Sequence, residues 1–418
     1  MIGSEQVGMA ARVSMLAVST VMATAGIAAA QTCVPDPAAV IAAGQTPTVL
    51  GALPAETVAK LEAAVEGAMP YTAAPGAIAA VMTPDGVWMD AFGIADPATG
   101  APMEPGMHTR IGSVTKTFTG TLILQLAQAG KLSLDDTIGQ YVDGIPNGDV
   151  ITLRQLASMT SGVQSYTKVD AWLDIFFEYP LRSWTPEQLV AFGVSESPIF
   201  EPGAAYDYSN TNTILLGMVV EQVAGLPIAE AMQTMILDPL GLENTYWPGD
   251  STEMPEPYPQ GFTLQGNAAT PENPSNATHW NPSWGWTAGE MVSDIGDLLI
   301  YGRALGTGHG LLDAATQTER LTSFPEPAGY GLAAGCTAGW MGHTGELPGY
   351  NTTVFYNVAS DTTVIVQANS DIPSGDCGDD EDLLPGNPTD VVCSAPASRI
   401  FSALAEALGQ PFAMPAVQ

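Results

Sequence analysis

The chain has 418 residues, 46% of them apolar and 7% aromatic, which supplies a full hydrophobic core for one large or two moderate domains. Lys and Arg total 11 against 44 acids, a formal net charge of −33. Such an excess excludes nucleic acid and anionic membrane as partners and favours the approach of a neutral or cationic small molecule or peptide.

Arg12 precedes an apolar run of small residues, 13–30, ending Ala28-Ala29-Ala30 before Gln31. This is the pattern of an export signal over residues 1–30. It predicts a secreted or extracytoplasmic protein with no stable membrane insertion after cleavage; an uncleaved anchor is the alternative. Residues 31–53 are rich in Pro and Ala and read as extended. A helix is expected over 56–69, where Val58, Leu61, Ala64 and Val65 share one face. Two strands, 77–82 and 87–92, flank the turn Pro84-Asp85-Gly86. Residues 113–129 read as a strong helix ended by Gly130. Further helices are expected at 153–159, 185–192, 213–224 and 228–237, forming an all-α subdomain. Residues 248–282 show no period; Tyr258, Phe262, Trp280 and Trp284 sit in or beside this stretch as candidate lining of a cleft. A helix at 293–305 follows, then strands at 330–332, 339–343, 352–356 and 362–367, and a closing helix at 396–408. The order predicts an α/β fold of the α+β type. Both ends of the chain share one antiparallel sheet flanked by helices.

Three short motifs carry chemistry. In Ser113-Val114-Thr115-Lys116 the serine and lysine are three residues apart, on one face of a helix. A serine hydroxyl is a weak nucleophile until a base takes its proton, and a lysine whose pKa is lowered by burial can do so. Tyr208-Ser209-Asn210 and His343-Thr344-Gly345 follow in that order. The four histidines are scattered and neither C-x-x-C nor H-E-x-x-H occurs, so no metal and no cofactor is expected.

With Arg110-Ile111-Gly112 before Ser113, Met159-Thr160-Ser161-Gly162, and Pro202-Gly203 before Tyr208, the chain from about 75 to 408 resembles the serine DD-peptidases and class C β-lactamases. The soluble D-alanyl-D-alanine carboxypeptidases carry H-T-G as the third motif. The resemblance implies one catalytic domain over 54–418, its α/β part at about 54–112 and 285–418 and a helical insertion at about 113–284. It implies that Ser113 is acylated, with Lys116 and Tyr208 moving protons. Asn210 orients Lys116 and binds the substrate amide. The backbone N–H groups of Ser113 and Glu346 form the oxyanion hole. Thr344 and Gly345 bind substrate on an edge strand, Gly345 by letting it approach closely, and Trp284 lines the cleft. His343 stands where β-lactamases have a lysine, so its charge is expected to depend on pH.

The resemblance extends to esterases and D-aminopeptidases, and to non-catalytic penicillin-binding proteins. Carboxypeptidases of this type bring an arginine from the strand before H-T-G, and the stretch 329–336 here has no basic residue. Glu346 places an acid directly after the motif. Both lower the expectation of carboxypeptidase activity relative to turnover of neutral esters and amides. Four cysteines, Cys33, Cys336, Cys377 and Cys393, suggest two disulfides with three possible pairings. Pairing Cys377 with Cys393 closes a short acidic loop and leaves Cys33 with Cys336.

Overall fold

The structure, a computed structural model, describes residues 32–46, 51–325, 329–378 and 382–412. The expected export signal lies outside them. Among the described residues no single helix is long and apolar enough to cross a membrane.

The first strands are β1 (Gly76–Thr83), β2 (Gly86–Asp96), β3 (Ala101–Pro102) and β4 (Thr109–Arg110). In mid-chain come β5 (Phe262–Thr263), β6 (Ser275–Asn276) and β7 (Val292–Ser293). The last group is β8 (Gly329–Tyr330), β9 (Gly335–Thr337), β10 (Trp340–Leu347), β11 (Tyr350–Asn357) and β12 (Thr362–Ala368). Eight of these form one antiparallel sheet in the order β3-β2-β1-β12-β11-β10-β9-β8, so β1 and β12 join the two ends of the chain. The sheet is buried on both faces, and alternation along each strand divides its side chains between two cores. Ile78, Ala80 and Met82 of β1 face one core; Ala77, Ala79 and Val81 face the other. The second core is closed by the Ala55–Ala68 and Pro396–Ala407 helices, through Leu61, Val65, Phe401 and Leu404. Burying one such Leu or Phe side chain is worth about 1.5–3 kcal/mol.

The first core holds the Thr115–Gln128 helix, in which every residue from Thr115 to Leu124 is buried. A helix buried all round has no polar face to solvate, and its threonines bond inward instead. Thr117 meets Tyr301 at 2.8 Å, and Thr119 donates to the Thr287 carbonyl at 2.8 Å. The expected helix Asn210–Ala224 packs beside it, and the expected helices Leu153–Ala157 and Pro186–Gly193 pack on Asn210–Ala224.

One expectation is corrected, and two elements are added. Residues 31–53 are not simply extended: Pro37–Gly44 is a helix whose N-cap Asp36 accepts the Ala39 N–H at 3.0 Å. Within 248–282, where no period was expected, the short strands β5 and β6 pair. A helix at Asp170–Glu178 was not anticipated. It places Trp172 and Phe176 in an aromatic cluster with Trp184, Trp280 and Trp284. The disulfides are Cys33–Cys336 and Cys377–Cys393, as expected.

Candidate active site

Ser113 lies in a single 3-10 turn, Gly112–Val114, that runs directly into the Thr115–Gln128 helix. Lys116, one turn on, is fully buried and donates from Nζ to Ser113 Oγ at 2.8 Å and to the Ala288 carbonyl at 2.7 Å. Burial alone holds its pKa well below the ordinary lysine value. A neutral amine accepts a proton, and its partner here is the serine hydroxyl.

Tyr208 is brought over this pair by the loop that enters the Asn210–Ala224 helix. Lys168 fixes that loop by bonding both Asp207 carboxylate oxygens at 3.0 Å. The Asn210 N–H bonds Ser165 Oγ at 3.0 Å. Lys116 Nζ sits 4.9 Å from the centre of the Tyr208 ring. The Tyr208 hydroxyl is turned toward Ser113 without completing a bond of good geometry. Burial pushes its pKa up, so the group is a neutral phenol.

The second wall is β10. It pairs with β11 along its whole length but with β9 only from Trp340 to Gly342. From His343 onward, one edge has no strand partner among the described residues. That edge lies against the serine turn. A methyl group built on Gly345 would fall 1.9 Å from the Ile111 oxygen and 3.3 Å from the Ser113 nitrogen; one on Gly112 would fall 2.7 Å from the Glu346 nitrogen. Gly112 also has φ +53°, a conformation glycine adopts at low cost. The two glycines thus let the Ser113 and Glu346 backbone nitrogens share one seam beside Ser113 Oγ. Gly345 is needed for the approach of the serine turn.

Two further expectations change. The Asn210 amide donates to Thr167 Oγ1 at 2.9 Å, and the group that orients Lys116 is the Ala288 carbonyl. His343 is only 7% exposed, and burial above all pushes its pKa down to about 3. It is therefore neutral at any ordinary pH, not a cation that comes and goes. Thr344 and Glu346 are exposed on the strand, as an edge that meets substrate requires. Trp284 is partly exposed and lines a small recess with Arg110 and Leu347, while its ring also packs on Trp172. Sequence reasoning missed Ala288, a backbone acceptor without a side-chain signature. It also missed Tyr330, whose hydroxyl lies 3.0 Å from His343 Nε2. Among the described residues no group of three or more His, Cys, Asp or Glu could hold a metal.

The beta-lactamase family model matches residues 61–384. The chain belongs to the beta-lactamase family. It is similar to a D-stereospecific amidohydrolase from a Streptomyces species, at 33% identity and TM-score 0.68, covering 75% of this chain and 94% of that one. A penicillin-binding protein of Bacillus subtilis (strain 168) is 25% identical over 320 residues, 71% of this chain and 68% of its own. Esterase EstB of Burkholderia gladioli is 28% identical over 217 residues, 49% of this chain and 55% of its own. The chain spans about a third to two thirds of the length of the curated relatives it matches. As a member of this family it has the beta-lactamase fold, and these relatives differ among themselves in the activities they are named for.

Proposed function

We propose that the protein is an exported serine hydrolase that forms an acyl-enzyme on Ser113 and turns over neutral or cationic amides and esters. The observation that carries this is the 2.8 Å bond between a fully buried Lys116 and Ser113 Oγ. Ser113 Oγ attacks the substrate carbonyl while its proton passes to the neutral Lys116 amine. Oxyanion charge develops against the Ser113 and Glu346 N–H groups. The leaving amine or alcohol takes a proton from the Tyr208 hydroxyl, which regains one from Lys116. Water then enters by the same relay in reverse and releases the acid. The lowered Lys116 pKa supports the lysine as base, and burial keeps the Tyr208 hydroxyl protonated, so that it has a proton to give.

The substrate side rests on charge. Burial disfavours the charged form of both Lys116 and His343, and β8 and β9 carry no basic residue. These elements offer no cation to a substrate carboxylate, while Glu346 is an exposed acid beside the seam. This supports amidase or esterase activity over removal of a C-terminal D-alanine. The two disulfides support an extracytoplasmic location. A fluorophosphonate or fluorescent penicillin should label the protein on Ser113 and not the Ser113→Ala variant. D-amino acid amides and short-chain esters should then outrun D-Ala-D-Ala peptides. Label on another serine would sink the assignment.

A further inference from the structure

We propose that Tyr330 is a positioning residue of this site: its hydroxyl holds His343 as a neutral acceptor, and its ring fixes Tyr208 beside Ser113. The proposal rests on Ser113 being the acylated serine. The bond directions follow from chemistry. His343 Nδ1 faces the Thr344 carbonyl, which only accepts, so Nδ1 carries the proton. Nε2 is then a bare lone pair, and the group within reach is the Tyr330 hydroxyl at 3.0 Å, which must donate. Tyr330 has no other role in the proton relay, yet it touches both of the site's other rings.

Those contacts form a closed triangle. The Tyr330 ring stands edge-on to His343 with centres 5.5 Å apart, and edge-on to Tyr208 at 5.9 Å. Tyr208 and His343 are 6.0 Å apart. Tyr330 and His343 thus both pack against the Tyr208 ring. Tyr206 backs Tyr330 at 6.3 Å from the solvent side. The hairpin that carries Tyr330 is itself anchored. Tyr330 sits opposite Gly335 on β9, and the next residue, Cys336, is tied to Cys33.

The groups facing His343 are Lys116 from the serine helix, Tyr208 from its loop, Tyr330 from β8 and the Thr344 carbonyl from its own strand. None is an acid. Protonating Nε2 would turn the acceptor into a donor and force the Tyr330 hydroxyl to reverse. It would also place an imidazolium beside Lys116 and weaken that amine as a base. Tyr330 opposes this by stabilising the neutral ring.

The test compares Tyr330→Phe and Tyr330→Ala with the wild type. The imidazole of His343 is titrated by NMR without substrate, and kcat and KM are measured against pH on a neutral ester. In Tyr330→Phe, His343 should bind a proton about tenfold more tightly, the weight of about one neutral hydrogen bond. Its kcat should fall about fivefold with KM unchanged, and the acid limb of kcat/KM should move to higher pH. Tyr330→Ala, which also removes the ring, should in addition slow fluorophosphonate labelling of Ser113. An unchanged His343 titration in Tyr330→Phe, with the fold intact by circular dichroism, would overturn the proposal, as would a loss confined to KM. The titration needs no turnover, so it decides the Tyr330–His343 bond separately. A wild type that fails to label on Ser113 would overturn the acylation reading, and the catalytic part of this proposal with it.

Discussion

Gly345→Ala is the sharpest perturbation of the seam between the serine turn and β10. The added methyl group would sit 1.9 Å from the Ile111 oxygen, a backbone atom that cannot rotate away. Ordinary carbon–oxygen contact begins near about 3.3 Å. The strand and the turn must therefore part by more than about 1 Å. Hydrogen bonds to an oxyanion work over a few tenths of an ångström, and a misplacement of about 1 Å costs on the order of 100-fold in rate. Loss of one oxyanion donor costs about 10²–10³. The expected fall in kcat is therefore about 10²–10³, or about 3–4 kcal/mol of transition-state stabilisation. Stability should suffer less, by about 1–3 kcal/mol for overpacking. The assays are steady-state hydrolysis of a chromogenic ester, the rate of fluorophosphonate labelling, and calorimetric Tm. A variant with kcat within about threefold of wild type would refute the reasoning, because the seam would then not be where the negative charge develops.

Other outcomes follow from the same geometry. Lys116→Ala should lower the acylation rate by about 10²–10⁴, the scale of general acid–base work. Combined with Tyr208→Phe it should cost much less than the two losses added, because both residues serve one proton transfer; additive losses would show that they act independently. Glu346→Gln should raise kcat/KM for a D-Ala-D-Ala peptide relative to its C-terminal amide; a wild-type preference of about tenfold for the free acid, about 1.4 kcal/mol, would show a carboxylate anchor elsewhere. Asp371 is buried, and desolvation pushes its pKa up from 3.8 to about 6 although Gly349, Gln265 and Thr263 bond it. The folded protein therefore takes up this proton before the unfolded chain does, and wild-type stability from this group falls as pH rises from about 4 to about 6. The stability of Asp371→Asn minus that of wild type should therefore be more favourable at pH 7 than at pH 4, by up to about 3 kcal/mol; a pH-independent difference would rule this out.

Much of this was legible in the chain. The β1–β2 hairpin, with its Pro-Asp-Gly turn, and the strands β10, β11 and β12 were expected, while β7 and β9 were not. The serine helix was announced by its spacing of Ser113 and Lys116. What stayed hidden has physical causes. Pro37–Gly44 reads as extended because Pro35 and Pro37 stand at its start, yet Asp36 and Pro37 are an N-cap and a first-turn residue. Asp170–Glu178 is built on Trp, Phe and Ile, poor intrinsic helix formers, and is held by aromatic partners a hundred residues away. Ala288 contributes only a carbonyl. His343 is neutral because of how deeply it lies, and Asn210 bonds Thr167 because of how two loops meet; neither is a property of a motif.

The charge pattern at the centre shows why burial matters more than the motif itself. The chain carries 44 acids, yet burial is the sole cause of the displaced Lys116 pKa. A carboxylate against Nζ would lift that pKa back toward its ordinary value and leave an ammonium that cannot accept the Ser113 proton. The neighbouring buried acid, Glu290, ends the short helix that supplies the Ala288 carbonyl. Its Oε1 is taken by the Gly249 N–H at 3.0 Å, and its favourable charge partner is Arg110. Elsewhere the chain does build ion pairs, such as Arg303 with Asp361 at 2.8 Å. Lys116 is given instead two neutral acceptors, a hydroxyl and a carbonyl. They orient the amine without charging it, and a Ser-x-x-Lys spacing on an exposed helix would lack that condition.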